Sequence, residues 1–408
     1  MRLHPFRALR PTSLVAAAVA SPPYDVVSRT EAAALAKGNP LSFLHVVRSE
    51  IDLPDHVPPY DPRVYRMARE NLDRLVRNGA LVREREPALY LYRLTMEGHA
   101  QLGVVGCVHV DDYARDVIKK HETTRPDKED DRVRHMLALD AHPEPVLLAY
   151  RGSETIARLE AEAVSRPPIY DFAGAGGMRH TVWTLEDLTP YVAAFDRLPG
   201  AYVADGHHRS ASAWRAARAS ATEGPARRAR DEREWFPAVL FPAEQLRILP
   251  YNRVVADLGG QTPTDVVRKL EAVGRLSAAT TPSPSRAGSF CIYVARRWHL
   301  LELAESTIDR RDVLRSLDVT LLHERLLGPI LGIGDPRTDP RLDFVGGLRG
   351  TAELEKRVDS GEAALAVSLH PTSIEQLMTV SDAGDVMPPK STWFEPKLAS
   401  GLFVHPFS

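Results

Sequence analysis

The chain has 408 residues, which is enough for two or three packed units, and its 44% apolar and 26% charged residues are ordinary for a globular protein. Fifty-two Lys and Arg against 54 Asp and Glu give a net charge of −2, so no overall basic excess supports binding of nucleic acid or of an anionic membrane. The two cysteines, Cys107 and Cys291, stand in apolar, strand-like segments, which predicts buried thiols rather than a zinc site.

The N-terminal segment resembles a signal peptide only faintly. Several arginines precede a short, alanine-rich apolar run over residues 14–20, but Pro5 and Pro11 interrupt its approach. No stretch of the chain reaches the roughly 20 apolar residues that a membrane-spanning helix needs. We therefore expect a cytoplasmic protein without a membrane partner.

The predicted elements alternate irregularly between helices and strands. The clearest helix runs from Pro62 to Asn78, because Asp61 suits the N-cap, Pro62 the first turn and Gly79 the stop. In the first part of the chain, we also predict a hairpin of strands over 88–94 and 102–110, and a helical region over 184–195 that Pro190 breaks or restarts. A strand over 201–204 then runs into a helix from 207 to about 219, and an exposed charged loop over 221–233 and a strand over 235–241 follow. In the last part, the predicted elements are a helix over 262–273, paired strands over 291–294 and 299–303, helices over 321–331 and 352–358, a strand over 363–369 and a helix near 373–378. Without regular βαβ spacing, this order favours an α+β, or mixed α/β, fold over a doubly wound sheet.

The first candidate site is Asp205-Gly206-His207-His208-Arg209, where a strand ends and a helix begins. Asp205 can cap the first turn, and Gly206 permits a sharp bend and the close approach of a ligand. The free N–H groups of the first turn favour an anion, and two histidines and an arginine add donors suited to phosphate. A capped helix with surface histidines is the structural alternative. Because exposed cations at a helix N-terminus oppose the helix dipole, we interpret this cluster as functional.

A second candidate is the charged segment over residues 119–132. Its charges alternate in sign, which also fits a solvated loop or helix face. In the functional interpretation Lys120, His121, Glu122 and Arg125 line a site. A carboxylate among these cations can act as the base for a hydroxyl or hold a metal ion.

A third candidate lies in residues 387–397, near the end of the chain. Lys390 and Ser391 follow an upstream glycine at P-loop spacing, but Pro389 occupies the second glycine position and removes an N–H that would hold phosphate. A true P-loop is therefore excluded. Lys390, Ser391 and Thr392 can still bind phosphate through their side chains, or the segment is a surface turn.

A fourth motif, Ser21-Pro22-Pro23-Tyr24-Asp25, is held extended by its prolines. Asp25 is then either a site carboxylate or a turn residue.

Taken together, the four motifs resemble one bacterial family, domain-of-unknown-function family 1015. They read Pro-Pro-Tyr-Asp-Val, Lys-His-Glu-x-Thr-x-x-x-Lys-Glu-Asp-Asp-Arg, Asp-Gly-His-His-Arg and Pro-x-Lys-Ser-Thr-x-Phe-x-Pro-Lys-Leu, in this order over nearly the whole chain. That family is similar to free serine kinases of the ParB/sulfiredoxin-like superfamily, and members have been assigned as pyrophosphate-dependent serine kinases. The resemblance implies a ParB/sulfiredoxin-like core with additional helices and strands. It also implies phosphoryl transfer to the hydroxyl of L-serine, giving O-phosphoserine, with Mg²⁺ as cofactor.

The resemblance also implies roles for individual residues. The predicted site residues are Glu122, His208 and Asp205 for catalysis, Gly206, His207, His208, Arg209, Lys120, Lys390, Ser391 and Thr392 for phosphate, and Tyr24, Asp25, His121 and Arg125 for the substrate. Glu122 is implied as the general base. Related folds bind CTP or ATP, so the donor stays open between pyrophosphate and a nucleotide. The metal ligands, the acceptor among small hydroxyl compounds and a homodimer stay open as well.

Residues 1–260 are expected to form the ParB-like phosphate-binding core with its N-terminal elaboration, and residues 261–408 an α/β region that completes the active-site cleft. Two other functions remain: a phosphohydrolase or nucleotidase that uses the same anion site with water as acceptor, and a nucleotide-binding regulatory ParB-like protein without kinase activity. The slightly acidic balance and the lack of a helix-turn-helix with a basic face argue against a DNA-binding version.

Overall fold

A computed structural model describes residues 1–219 and 231–408, so the exposed loop predicted at 221–233 lies mostly outside the described residues. The described chain forms two compact units. The first comprises Met1–Lys120, Thr124–Leu246 and Pro396–Ser408, and the second His121–Thr123 and Arg247–Glu395. The structural division therefore falls after residue 246 rather than after residue 260, and the last segment of the chain belongs to the first unit.

The first unit is built on a mixed sheet. Its strands are β1 (Leu3–His4), β2 (Leu9–Pro11), β3 (Leu81–Arg83), β4 (Tyr90–Met96), β5 (His99–His109), β6 (Ile118–Lys119), β7 (Ala141–His142), β8 (Val146–Tyr150), β9 (Tyr170–Ala173), β10 (Arg179–Thr184), β11 (Ala201–Asp205), β12 (Trp235–Pro242) and β21 (His405–Pro406). The main sheet has the order β6-β11-β8-β12-β5-β4-β10-β9, with β1 beside β5. Strand β11 runs parallel to β6, and β12 parallel to β8.

Several helices of the first unit begin at a side-chain cap or at a proline. They are α1 (Ala16–Val19), α2 (Arg29–Ala36), α3 (Leu44–Val47), α4 (Pro62–Arg77), α5 (Val110–Ala114), α6 (Pro126–Leu139), α7 (Glu154–Ala163), α8 (Thr189–Asp196) and α9 (His207–Ala219). Helix α4 is confirmed as predicted, since the Asp61 side chain accepts a hydrogen bond from the Arg63 N–H at 2.9 Å. The helical region predicted over 184–195 is shorter, because residues up to Thr184 belong to β10 and Pro190 lies in the first turn of α8.

The core of the first unit forms where apolar strand faces meet the helices. Strand β8 is buried along its whole length, and Leu148, Val203 and Leu240 of three adjacent strands pack in one cluster with Phe195 of α8. A run of five apolar residues without alternation is typical of a strand that is covered on both faces. This core holds the end of β11, where Asp205 lies.

The second unit contains its own sheet and its own apolar cluster. Its strands are β13 (Arg247–Leu249), β14 (Tyr251–Val255), β15 (Arg275–Ala278), β16 (Ser289–Val294), β17 (Arg297–Glu302), β18 (Leu342–Gly346), β19 (Leu365–Leu369) and β20 (Trp393–Glu395). Its helices are α10 (Pro263–Glu271), α11 (Asp318–Leu322), α12 (Gly328–Leu331), α13 (Gly350–Asp359) and α14 (Ile374–Asp382). A π-helical turn over His323–Leu327 connects α11 and α12. Six strands form a sheet in the order β15-β17-β16-β19-β14-β18, and β13 pairs with β20.

The mixed sheet of the first unit, the antiparallel sheet of the second and the helices of both confirm the predicted α+β class. The predicted pairing of the strands near residues 291–294 and 299–303 is also confirmed, as β16 and β17 form an antiparallel hairpin. Both cysteines are buried in strands, Cys107 in β5 and Cys291 in β16, as expected. Among the helices of the described residues, none combines the length and the apolar character that crossing a bilayer requires.

Candidate functional site

The predicted turn between strand and helix is present at Gly206. Strand β11 ends at Asp205 and α9 starts at His207. The Gly206 carbonyl accepts the first helical hydrogen bond from the Ser210 N–H at 2.9 Å, so the N-cap position falls on Gly206 and not, as predicted, on Asp205. Gly206 has φ +105°, and a Cβ there would lie 3.1 Å from the guanidinium carbon of Arg209. Only glycine satisfies both conditions without strain.

A bulge at the end of β11 orients Asp205. The register of β11 against β8 shifts between Val203 and Asp205. Val203 lies opposite Leu148, whereas Asp205, two residues later in β11, lies opposite Leu147, only one residue away in β8. Bulges commonly redirect a side chain at the end of a strand. Asp205 thereby reaches partners from two distant parts of the chain.

The Asp205 carboxylate is held by two cations. One oxygen accepts a hydrogen bond from Lys397 Nζ at 3.0 Å, and the other from Arg209 Nη2 at 2.7 Å. Burial alone would raise the pKa of Asp205, but the charges of Lys397 and Arg209 outweigh it and hold the pKa well below its usual range. Asp205 is therefore an ionised carboxylate at neutral pH.

Arg209 is buried rather than displayed on the surface, with a side-chain exposure of 4%. Its Nη1 donates to the carbonyl of Pro145, and its Nη2 lies 3.9 Å from an oxygen of Asp25. Burial lowers the pKa of the guanidinium, but the carboxylates of Asp205 and Asp25 raise it above its ordinary value. The expectation of an exposed cationic cluster is thus not met at Arg209, because the two carboxylates allow its charge to be buried.

The two histidines differ from each other. His207 is buried, and this burial lowers its pKa to about 3, so its imidazole is neutral at physiological pH. His208 is half-buried, and its Nε2 accepts a hydrogen bond from the backbone N–H of Arg125 at 3.1 Å. His207 therefore adds no positive charge to the helix start, contrary to the expectation from sequence.

Asp25 of the fourth motif lies close to the turn, 3.9 Å from Arg209, and Tyr24 precedes it in the chain. The Tyr24 N–H donates to Glu144 Oε1 at 3.2 Å, and Ser400 Oγ donates to the same oxygen at 2.5 Å. Burial raises the pKa of Glu144. The Tyr24 ring is also covered by the guanidinium of Arg132 at 4.2 Å from the ring centroid.

Lys120 and Arg125 make local ion pairs near the surface. Lys120 Nζ lies 2.8 Å from Asp116 and 4.5 Å from the Tyr113 ring centroid. The exposed Arg125 guanidinium pairs with Asp127 at 2.8 Å. The Arg125 backbone N–H contacts the turn by donating to His208, whereas the Arg125 side chain pairs locally with Asp127.

Within the second unit, the structure brings His121 together with the C-terminal motif. His121 is buried, its Nε2 lies 3.3 Å from Thr392 Oγ1, and its carbonyl accepts a hydrogen bond from the Met387 N–H. Glu122, the next residue, is half-buried in the loop that follows β6. His121, Glu122 and Thr392 thus all belong to the second unit.

The segment around Lys390 is an ordered turn. Ser391 Oγ donates to the Pro388 carbonyl at 2.6 Å, so this hydroxyl is used within the turn. The Lys390 side chain is exposed, and its backbone adopts φ +60°, which is uncommon for a residue other than glycine. The buried guanidinium of Arg253 donates to the Lys390 carbonyl at 3.0 Å and lies 4.5 Å from the Phe344 ring centroid. Burial lowers the pKa of Arg253 to about 9.

Sequence reasoning did not assign four residues that organise these sites. Lys397 and Arg132 stand inside motifs that were quoted for the family resemblance, so their positions were a usable signal. Glu144 and Arg253 lie in no motif. Their contacts join segments more than 100 residues apart, which no local pattern indicates.

A protein-family model, described as a protein of unknown function (DUF1015), matches residues 3–320, which is most of the chain. The chain belongs to this family. The matched region of this DUF1015 protein includes the Asp205–Arg209 turn, whereas Lys390–Thr392 and Lys397 lie beyond it. No curated protein matches the sequence.

Solved structures similar to this DUF1015 protein are distant in sequence. They include a free serine kinase in complex with AMP (13% identity, 71% of this chain and 86% of the other, TM-score 0.34), SbnI with a C-terminal truncation from Staphylococcus aureus (13%, 74% and 87%, TM-score 0.39) and a conserved hypothetical protein from Pyrococcus furiosus (13%, 74% and 95%, TM-score 0.34).

Proposed function

We propose that the protein is a small-molecule kinase that transfers a phosphoryl group from pyrophosphate or a nucleotide to the hydroxyl of free L-serine or a similar small alcohol, giving O-phosphoserine. The observation that carries this proposal is the start of α9, where the bend at Gly206 places the N-terminus of the helix beside the Lys397–Asp205–Arg209 cluster. The four-motif resemblance adds the reaction type. A ParB/sulfiredoxin-like core is part of the same proposal.

The turn suits a phosphate for reasons other than net charge. Arg209 and Lys397 are balanced by Asp205 and Asp25, all within hydrogen-bond or ion-pair distance of one another in a chain of contacts. Attraction for an anion therefore comes from the N–H groups and the positive end of the α9 dipole. The cations fix Asp205 and the bend, and His208 adds a side-chain donor or acceptor at the same point.

Phosphoryl transfer requires mainly positioning and electrostatic stabilisation from the protein. In the proposed reaction the serine oxygen forms a bond to the transferred phosphorus, and the bond from that phosphorus to the leaving phosphate oxygen breaks. Glu122, which stands three residues before Arg125 in the chain, is proposed to take the hydroxyl proton. Lys390, whose exposed side chain extends from the ordered turn of the second unit, is proposed to offset the developing negative charge.

Magnesium is proposed as the cofactor, since a hard divalent cation would neutralise charge on the donor phosphates. Asp205 does not fit as its ligand, because both of its oxygens already accept hydrogen bonds from Lys397 and Arg209. Asp25 offers a carboxylate close to the turn, 3.9 Å from Arg209 Nη2.

The decisive experiment incubates the purified full-length chain with Mg²⁺, labelled pyrophosphate or ATP, and a panel of small hydroxyl compounds that includes L-serine. Formation of O-phosphoserine supports the proposal. Release of free phosphate without a phosphorylated acceptor would instead indicate a phosphohydrolase. Nucleotide binding without turnover would indicate a regulatory protein, and both results would overturn the kinase.

Substitutions then test the assigned roles. Glu122→Gln and His208→Ala are each expected to lower the rate of phosphoryl transfer about 10²- to 10³-fold, which is typical when one such group is removed from an active site. His56→Ala is the matched control, since His56 is exposed in another part of the first unit. Circular dichroism and thermal unfolding show whether each variant remains folded. Activity near that of the wild type in both variants refutes the two roles.

A further inference from the structure

Two segments from opposite ends of the chain are paired within the first unit. The Ser400 N–H donates to the Ser21 carbonyl at 2.9 Å, and the Ser21 N–H donates to the Ser400 carbonyl at 3.2 Å. One segment is the fourth motif, residues 21–25, and the other covers residues 396–400. The backbone of each segment is thus fixed against the other at this position.

Glu144, two residues before β8, joins the same two segments through one atom. Its Oε1 accepts a hydrogen bond from the Tyr24 N–H at 3.2 Å and another from Ser400 Oγ at 2.5 Å. The residue is only 4% exposed. A single buried carboxylate oxygen therefore contacts both segments.

The two segments also meet through charged side chains at the Asp205–Arg209 turn. Asp25 lies 3.9 Å from Arg209, which donates to Asp205 at 2.7 Å, and Asp205 accepts from Lys397 at 3.0 Å. Asp25 and Lys397 are the two ends of this series of contacts. The two donors to Glu144 stand one residue before Asp25 and three residues after Lys397 in the chain. Glu144 thus closes the series into a ring.

A carboxylate at this position has a cost that an apolar side chain would avoid. Burial raises the pKa of Glu144, while the charge of Arg209 and the hydrogen bond from Ser400 act in the opposite direction. An apolar residue would leave the Tyr24 N–H and the Ser400 hydroxyl without this acceptor. The costly group is therefore explained by the two hydrogen bonds that it accepts.

We infer that Glu144 is a positioning residue for the proposed reaction. Through its two hydrogen bonds it sets where Asp25 and Lys397 lie on either side of the Asp205–Arg209 turn. It acts through these two segments and not on the phosphoryl donor or acceptor. The inference rests on the proposed function for its effect on phosphoryl transfer, but the linkage of the two segments does not depend on that function.

Amide hydrogen exchange of the full-length chain, without any phosphoryl donor, tests the linkage. Glu144→Ala should increase exchange about tenfold or more over both 21–25 and 396–400, because hydrogen bonds to a charged group are lost. Glu144→Gln keeps an oxygen that can accept both hydrogen bonds, so its exchange should stay within about threefold of the wild type. Faster exchange in neither segment, or in only one of them, overturns the inference.

Glu234→Ala is the matched control. Glu234 is also 4% exposed, and it pairs at 3.2 Å with Arg218 in the last turn of α9. This variant should leave exchange over 21–25 and 396–400 as in the wild type, and an effect equal to that of Glu144→Ala would overturn the inference.

If Glu144→Ala does not fold, Ser400→Ala takes its place, since it removes only one of the two donors to Glu144. Exchange should then rise over 396–400, and unchanged exchange there overturns the inference.

Kinetics test the effect on phosphoryl transfer to L-serine, with whichever of pyrophosphate and ATP the wild type uses. Glu144→Ala should lower kcat/KM about tenfold or more, because one lost hydrogen bond to a charged group corresponds to at least this factor. Glu144→Gln should recover kcat/KM to within about threefold of the wild type, and Glu234→Ala should retain it. A loss in Glu144→Gln as large as that in Glu144→Ala overturns the positioning role, because the charge itself would then be required.

The two proposals fail separately. If the wild type transfers no phosphoryl group, the kinase is refuted, while hydrogen exchange still decides whether Glu144 links the two segments. If the wild type phosphorylates L-serine and Glu144→Ala has normal exchange and normal kcat/KM, the role of Glu144 is refuted and the kinase stands.

Discussion

The ion pair between Lys397 and Asp205 provides the most direct test of how the Asp205–Arg209 turn is held. The two charged atoms lie 3.0 Å apart, and the side chains are only 11% and 24% exposed. With an effective dielectric constant of about 20, Coulomb's law gives an upper limit of about 5.5 kcal/mol at this distance. Contacting residues typically show coupling energies of about 0.5–3 kcal/mol in double-mutant cycles. Because both side chains are largely buried, we expect about 1–3 kcal/mol at pH 7.

The measurement compares the wild type, Asp205→Asn, Lys397→Met and the double variant by urea unfolding. The coupling energy is the difference between the effect of the double variant and the sum of the single effects. The surface pair Arg69–Asp73 is the matched control, since its atoms lie 2.9 Å apart but its side chains are 46% and 41% exposed. Exposed helical pairs contribute only about 0.3–0.5 kcal/mol. A coupling no larger than in this control refutes the role given to Lys397.

The same cycle has a pH dependence with a defined sign. Asp205 has a lower pKa in the folded protein than in the unfolded chain, so it stabilises the fold above about pH 4, where both states are ionised. As the pH falls below 4 the unfolded chain takes up this proton first, and stability decreases by up to about 1.4 kcal/mol for each pH unit. Asp205→Asn should remove this contribution to the slope. An unchanged slope between pH 4 and pH 3 contradicts the assignment.

Three further predictions concern other positions. In the same urea assay, Gly206→Ala should destabilise the protein by about 1–3 kcal/mol because alanine is strained at the positive φ of this position. Contact between the new Cβ and Arg209 should add a further loss. The control is Gly38→Ala, at φ +76° with nothing near its Cβ position, which should show only the backbone effect. Burial raises the pKa of Glu160 to about 8, so the stability of the wild type should fall as the pH rises from about 4.5 to 8. Glu160→Gln should be more stable than the wild type by about 2–4 kcal/mol at pH 8.5, because glutamine does not ionise. Equal stability of the two proteins at that pH contradicts the burial of an ionisable group. Arg253→Met should increase amide hydrogen exchange over residues 388–392 more than elsewhere, because the carbonyls of Pro389 and Lys390 lose the hydrogen bonds that Arg253 donates. If the increase in exchange is no larger in this turn than in the rest of the chain, Arg253 does not hold the turn.

The sequence predicted the strand-to-helix turn at Asp205–His207 because its signals are local. A buried strand that runs into Asp205-Gly206 and then into a helix needs only neighbouring residues to define it, and the structure has this order. The helix at Pro62–Arg77 was predictable for the same reason, as its cap and its proline are adjacent in the chain.

The partners of the turn were not predictable, because they come from far along the chain. Lys397 is 192 residues from Asp205, and Ser400 is 256 residues from Glu144. Burial of His207 and Arg209 could not be inferred either, since polar residues are usually exposed and these become buried only when distant carboxylates and strands cover them. The interpretation as an exposed cationic cluster was wrong for this reason.

The return of residues 396–408 to the first unit has a consequence for synthesis on the ribosome. Asp205 and Arg209 are translated 188 to 192 residues before Lys397, with the whole of 247–395 between them. At about 5–20 residues per second, the nascent first unit spends about 10–40 s with Asp205 lacking this partner. Its charged centre is therefore completed last, after the sequence of the second unit has already left the peptidyl-transferase centre.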